Sequence, residues 1–85
     1  PDEIIAQYPD MLYAIKSPGM NQLLQELRKS ELVATANSFG EYHHITFSKQ
    51  GSMELLLKSL HRSDVEMKPI RPTIEDCFIH LMTHE

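Results

Sequence analysis

An α+β fold with the element order β-α-β-β-α-β is predicted by three features of this sequence. Met20, Leu23, Leu24 and Leu27 recur at i, i+3, i+4 and i+7, and Met53, Leu56, Leu57 and Leu60 repeat that spacing, so two amphipathic helices are expected. Between them, two alternating stretches flank Ser38-Phe39-Gly40-Glu41, which is a β-hairpin signature. A further short alternating stretch stands before the first helix and another after the second.

Taken in order, residues 1–9 read as a connecting segment with a short helix from Asp2 to Tyr8, residues 10–70 as the core, and residues 72–84 as a closing helix. The first strand runs from Met11 to Lys16. Ser17-Pro18-Gly19 then makes a turn in which Ser17 can cap the first helix and Pro18 suits its first position. Arg28 and Lys29 end that helix, where cations complement the negative end of the dipole. Strands follow from Leu32 to Asn37 and from Tyr42 to Phe47, with Gly40 supplying the turn. Gly51-Ser52 introduces the second helix with Ser52 as its cap, and His61-Arg62 closes it in parallel with Arg28-Lys29. The last strand, Val65 to Ile70, contains Pro69, which cannot donate to a ladder and belongs near a strand end or on an edge.

The closing helix has the sharpest start. Pro72 ends the preceding strand, Thr73 and Asp76 form a capping box, and Glu75 adds a second negative charge at the positive end of the dipole. Ile74, Phe78 and Leu81 are expected to dock this helix, with Cys77 as a small filler at the edge of that stripe.

This order is the split βαβ, ferredoxin-like arrangement, in which two helices cover one face of a four-stranded antiparallel sheet. Within the third strand, alternation puts His43 with Ile45 and Phe47 on the apolar side and turns Tyr42, His44 and Thr46 outward.

Composition narrows the function classes. A chain of 85 residues has room for one domain, which at this size buries roughly 60–65% of its unfolded surface. The formal net charge is −4 and the eight Lys and Arg residues are scattered, which disfavours a partner held through its phosphates and so nucleic acid. Cys77 is the only cysteine, so no internal disulfide forms and a reducing compartment is the simpler expectation. No run of about 18 apolar residues suggests membrane insertion, and Pro1-Asp2-Glu3-Ile4-Ile5 lacks the pattern of a secretory leader. Gly19, Gly40 and Gly51 belong to no phosphate-cradling loop, and no G-x-S-x-G is present. No catalytic or cofactor-binding residue is assigned, and an autonomous enzyme is not expected.

Two site readings compete with that negative one. Cys77, His80 and His84 share one flank of the closing helix and offer three zinc ligands. A structural site needs a fourth, so a buried Cys77 with solvated histidines is the plainer reading. A single-stranded RNA-binding domain of the RNA-recognition type shares the topology and would stack bases on Tyr13, Tyr42 and His44. The stretch Gly40-Glu41-Tyr42-His43-His44-Ile45-Thr46-Phe47 meets that type's strand pattern only at Tyr42, Ile45 and Phe47, and has Glu41 where glycine belongs.

The two ends carry a family resemblance. Pro1-Asp2-Glu3-Ile4-Ile5 resembles the tail of the G-T-P-E-E-L segment that follows the nucleotide-binding core of many ABC transporter ATP-binding subunits. Arg71-Pro72-Thr73-Ile74-Glu75-Asp76-Cys77-Phe78-Ile79-His80-Leu81 resembles the P-S/T-L-E-D-V-F-L-x-L ending of drug- and antibiotic-export members with a C-terminal accessory domain. Ile74 replaces the family's Leu, and Cys77 stands where Val or another small apolar residue is usual. The resemblance runs in order along the chain, and the terminal motif is its specific part.

The resemblance implies a non-catalytic accessory or regulatory domain of a larger subunit. ATP and Mg would bind that parent, at the cytoplasmic face of the cell membrane, where it would couple hydrolysis to export. The domain itself would hold no cofactor and would reach the transporter's membrane subunits only through the parent. It would pack on its own ATPase core or on the second ATP-binding subunit, including its equivalent domain as a homodimer. Tyr13, Tyr42, His44, Ile74, Phe78 and Leu81 are the expected contacts.

Overall fold

A computed structural model of the chain describes residues 11–83. The helix expected from Asp2 to Tyr8, the side chain of His80 and the whole of His84 lie outside the described residues. The elements are β1 (Leu12–Lys16), α1 (Met20–Lys29), β2 (Val33–Phe39), β3 (Tyr42–Phe47), α2 (Met53–Leu60), β4 (Glu66–Ile70) and α3 (Ile74–Thr83). The strands form one antiparallel sheet in the order β2-β3-β1-β4, so the predicted ferredoxin-like topology is present.

Alternation along each strand sorts the sheet into two faces. Tyr13 lies opposite Ile45, Ile15 opposite His43 and Met67, and Ala36 opposite Ile45, which places these residues on one side. Leu23 and Leu27 of α1 and Leu56 of α2 pack there against Ile15, Ala36 and Ile45, and all six side chains are buried. The opposite face carries Leu12, Ala14 and Lys16 of β1, Tyr42, His44 and Thr46 of β3, and Glu66 and Lys68 of β4.

The helix ends correct several expectations. Ser17 does not cap α1: Gly19 occupies the cap position in a left-handed conformation, φ 75°, and no side chain bonds the first turn. Glycine reaches that conformation at little cost and lets the chain turn sharply before Met20. Ser17 is buried instead, with its hydroxyl on the Pro18 carbonyl.

Ser52 does cap α2, its hydroxyl accepting from the Leu55 amide at 3.2 Å. His61 lies past the end of that helix at φ 50°, so His61 and Arg62 are not counterparts of Arg28 and Lys29. Arg62 reaches back across the fold, to Glu26 at 2.7 Å and to the Pro18 carbonyl at 2.9 Å, and ties the end of α2 to the start of α1.

Leu57 departs from the expected buried stripe of α2. It is 40% exposed while Leu56 is fully buried in the cluster with Ile15, Ala36 and Ile45. Pro69 sits in that edge strand opposite Tyr13, where a missing amide costs no interior hydrogen bond. β2 continues to Phe39, which narrows the hairpin turn to Gly40 and Glu41, with Gly40 at φ 61°.

Candidate functional site

The sheet face that α1 and α2 leave open is the face that α3 covers. The capping box forms as expected: the Asp76 amide donates to the Thr73 hydroxyl oxygen at 3.2 Å, and the Asp76 carboxylate accepts from the Thr73 amide at 2.8 Å. The Thr73 hydroxyl donates to the same carboxylate oxygen at 2.8 Å. One polar group therefore starts the helix and stays fixed in place.

That carboxylate has a second role. Nδ1 of His44, in the middle of β3, lies 2.9 Å from Oδ1 and 3.1 Å from Oδ2 of Asp76. An ionised carboxylate only accepts, so the imidazole proton sits on Nδ1. The side chains are 12% and 3% exposed, and Phe39 stacks on the imidazole with ring centroids 4.5 Å apart and planes at 23°. Around this pair Leu12, Ala14, Thr46 and Cys77 are buried. Thr46 shares a 2.7 Å hydrogen bond with Thr35 of the neighbouring strand. A polar latch, flanked by a narrow apolar contact, holds α3 on the sheet.

Burial also acts on Cys77. Desolvation, assisted by the neighbouring Asp76 carboxylate, pushes its thiol above its ordinary pKa. Such a thiol stays protonated at neutral pH and is a poor nucleophile and a poor metal ligand. Among the described residues no group of three or more His, Cys, Asp or Glu side chains is placed to hold a metal ion.

The remainder of this face is polar. Tyr42 lies with the Lys16 and Lys68 ammonium groups 5.0 Å and 4.9 Å from its ring centroid, and its hydroxyl donates to Glu66 at 3.2 Å. Lys16 is 3.8 Å from the same Glu66 carboxylate. Each lysine gains from the ring's negative face, so Tyr42 is engaged within the domain.

The six expected contact residues therefore divide. Tyr13 is on the other face, packed against the core with its ring 4.8 Å from that of Phe47. Both parities of β1 are apolar, and only the register opposite Ile45 assigns Tyr13 to the helix-covered side. His44 lies beneath α3. Tyr13, Tyr42 and His44 thus form no shared exposed platform for bases. The neighbouring His43 is buried and donates from Nε2 to the Met20 carbonyl at 2.7 Å, anchoring the start of α1 to β3.

Ile74, Phe78 and Leu81 are exposed at 40%, 56% and 51%, and Met82 at 76%. The stripe expected to dock α3 is left largely exposed, and Asp76 and Cys77 are the buried residues of the helix. Burying a Leu or Phe side chain fully stabilises a protein by about 1.5–3 kcal/mol, so this orientation forgoes several kcal/mol available from the helix's own apolar face. The sequence reading did not include Met82 or the exposed Met11 at the start of β1. The adjacent Leu81-Met82 pair was the available signal for Met82.

Comparisons of the chain with protein-family models, curated proteins and solved structures find no match.

Proposed function

We propose that this domain is a non-catalytic interaction module that meets its partner through the outward stripe of α3, Ile74, Phe78, Leu81 and Met82. The observation that carries this reading is the stripe itself: four large apolar side chains that stay 40–76% exposed on a helix fixed to the sheet through Asp76, about a third of a turn away. A contiguous apolar patch of this kind marks a contact site more often than scattered surface leucines do. Within α3, Glu75 is the only charged side chain outside the latch, which suits a largely uncharged apolar partner surface.

The resemblance of the two ends supplies the partner. The domain would be the C-terminal accessory domain of an ABC-type ATP-binding subunit, with the stripe packed on the parent's ATPase core or on the second subunit. ATP and Mg would act in the parent, which would work at the cytoplasmic face of a membrane. Among the described residues no helix is long and apolar enough to cross one.

Two experiments test the reading. The coding sequence immediately upstream of Pro1 should contain Walker and signature motifs, and their absence would remove the parent. In the intact subunit, deleting the domain should impair assembly, ATPase rate or transport, and no change in all three would refute the role.

A further inference from the structure

Resting on the reading of the α3 stripe as a contact surface, we infer that His44 and Asp76 are positioning residues: their pairing holds α3 rolled away from the orientation its apolar pattern favours, and so keeps the stripe turned toward a partner. At about 100° per residue, the centre of the docking side, Asp76 and Cys77, lies about a third of a turn from the centre of Ile74, Phe78 and Leu81. A helix placed by hydrophobic burial alone would turn the second group onto the sheet face that carries His44 and the buried Leu12, Ala14 and Thr46. The observed helix buries a carboxylate instead.

What opposes the roll is directional. The Asp76 carboxylate accepts from His44 Nδ1 and from the amide and hydroxyl of Thr73, and these bonds fix the azimuth of the first turn. Rolling the helix would break the His44 bond while leaving the capping box intact, because that box lies wholly within the α3 segment. Phe39 holds the imidazole plane from the other side, so the acceptor meets a donor already in place. Losing His44 would leave Asp76 buried without its cross-element partner, a penalty that carrying the carboxylate out to water relieves. The stripe would then move inward and cease to be available. The latch therefore selects which side of α3 is presented, as buried polar contacts can select one packing among several.

The chain contains no tryptophan, so a Phe78→Trp substitution gives a single indole on the stripe. Cys77, the only thiol, is buried and lies between the two sides of the helix, so its labelling reports whether α3 stays on the sheet rather than which way it is turned. In the Phe78→Trp background the indole should emit and quench as a solvent-exposed group, and Cys77 should react slowly with a thiol reagent. Adding His44→Leu should shift the indole emission to the blue and reduce its quenching by acrylamide at least twofold, while Cys77, which flanks both sides of the helix, stays slow to label. His44→Asn, which restores a donor near the Nδ1 position, should return both signals toward the starting values.

An indole that stays exposed while Cys77 becomes reactive would mean that α3 detaches rather than rolls, and would overturn the inference; so would unchanged signals from a folded His44→Leu protein. If that variant loses its far-UV circular dichroism, His44→Ala, which likewise leaves the Thr73–Asp76 capping box in place, carries the same test with the same expected shift. Failure of the contact reading would look different, since Phe78→Glu would then leave subunit assembly unchanged while the indole still responded to His44.

Discussion

His44 and Asp76, 32 residues apart in the chain, are joined by an imidazole nitrogen 2.9 Å from a carboxylate oxygen, both side chains nearly sealed from solvent. This contact links the middle strand of the sheet to the first turn of the last helix. Replacing either residue alone strands the other: a buried carboxylate without its donor, or a buried donor without its acceptor. Urea unfolding of His44→Leu, Asp76→Ala and the double variant should return a coupling energy of about 1–3 kcal/mol. Additive effects would show that the pair does not interact.

A second prediction concerns two glycines with opposite requirements. A Cβ on Gly51 would lie 2.0 Å from the Leu32 carbonyl oxygen, in the crossing where Leu32 also accepts from the Ser48 amide. Gly51→Ala should therefore cost about 3 kcal/mol, because the obstructing atom is backbone and cannot swing aside. Gly40 has open space around it but a φ of 61°, so Gly40→Ala should cost only about 1–2 kcal/mol. Denaturant midpoints would rank them, and a reversed order would contradict the crossing.

The neighbouring leucines of α2 differ sharply in burial. Leu56 is fully buried in the main cluster, whereas Leu57 is exposed. Leu56→Ala should lose about 2–5 kcal/mol, and Leu57→Ala less than about 1 kcal/mol. Similar losses at both positions would mean that α2 sits further over the sheet than the structure places it.

Cys77 ties stability to alkaline pH. A thiol whose folded pKa is raised above its unfolded value, about 8.5, is bound to its proton more tightly when folded. Its stabilising contribution is present below the unfolded value and is lost as pH rises through the folded one. Unfolding midpoints should fall above about pH 8.5 in the wild-type protein, and Cys77→Ala should remove that part of the slope. An identical alkaline slope in both proteins would contradict this assignment.

Periodicity made most of the scaffold legible in the sequence. The alternation of His43, Ile45 and Phe47 against Tyr42, His44 and Thr46 separated the two faces of β3, although the face read as outward holds the buried Thr46 and the nearly sealed His44, and Thr73 with Asp76 marked the start of α3. The orientation of α3 was not legible, because its strongest apolar spacing runs through Ile74, Phe78 and Leu81, whereas the docking geometry is set by a polar contact to a residue in another strand. Local pattern carries no term for such a contact. Tyr13 was misplaced for a related reason: with Leu12, Ala14, Tyr13 and Ile15 all apolar or aromatic, β1 offers two plausible inward faces, and only pairing with β3 and β4 decides between them.

The proposed contact surface is tested most directly by placing Phe78→Glu in the proposed parent subunit and measuring its assembly by sedimentation equilibrium. Phe78 is already more than half exposed, so the charge should leave the domain's unfolding free energy within about 0.5 kcal/mol of wild type. The account predicts weakening of assembly by at least tenfold against that unchanged stability. Assembly equal to wild type in a folded variant would contradict it.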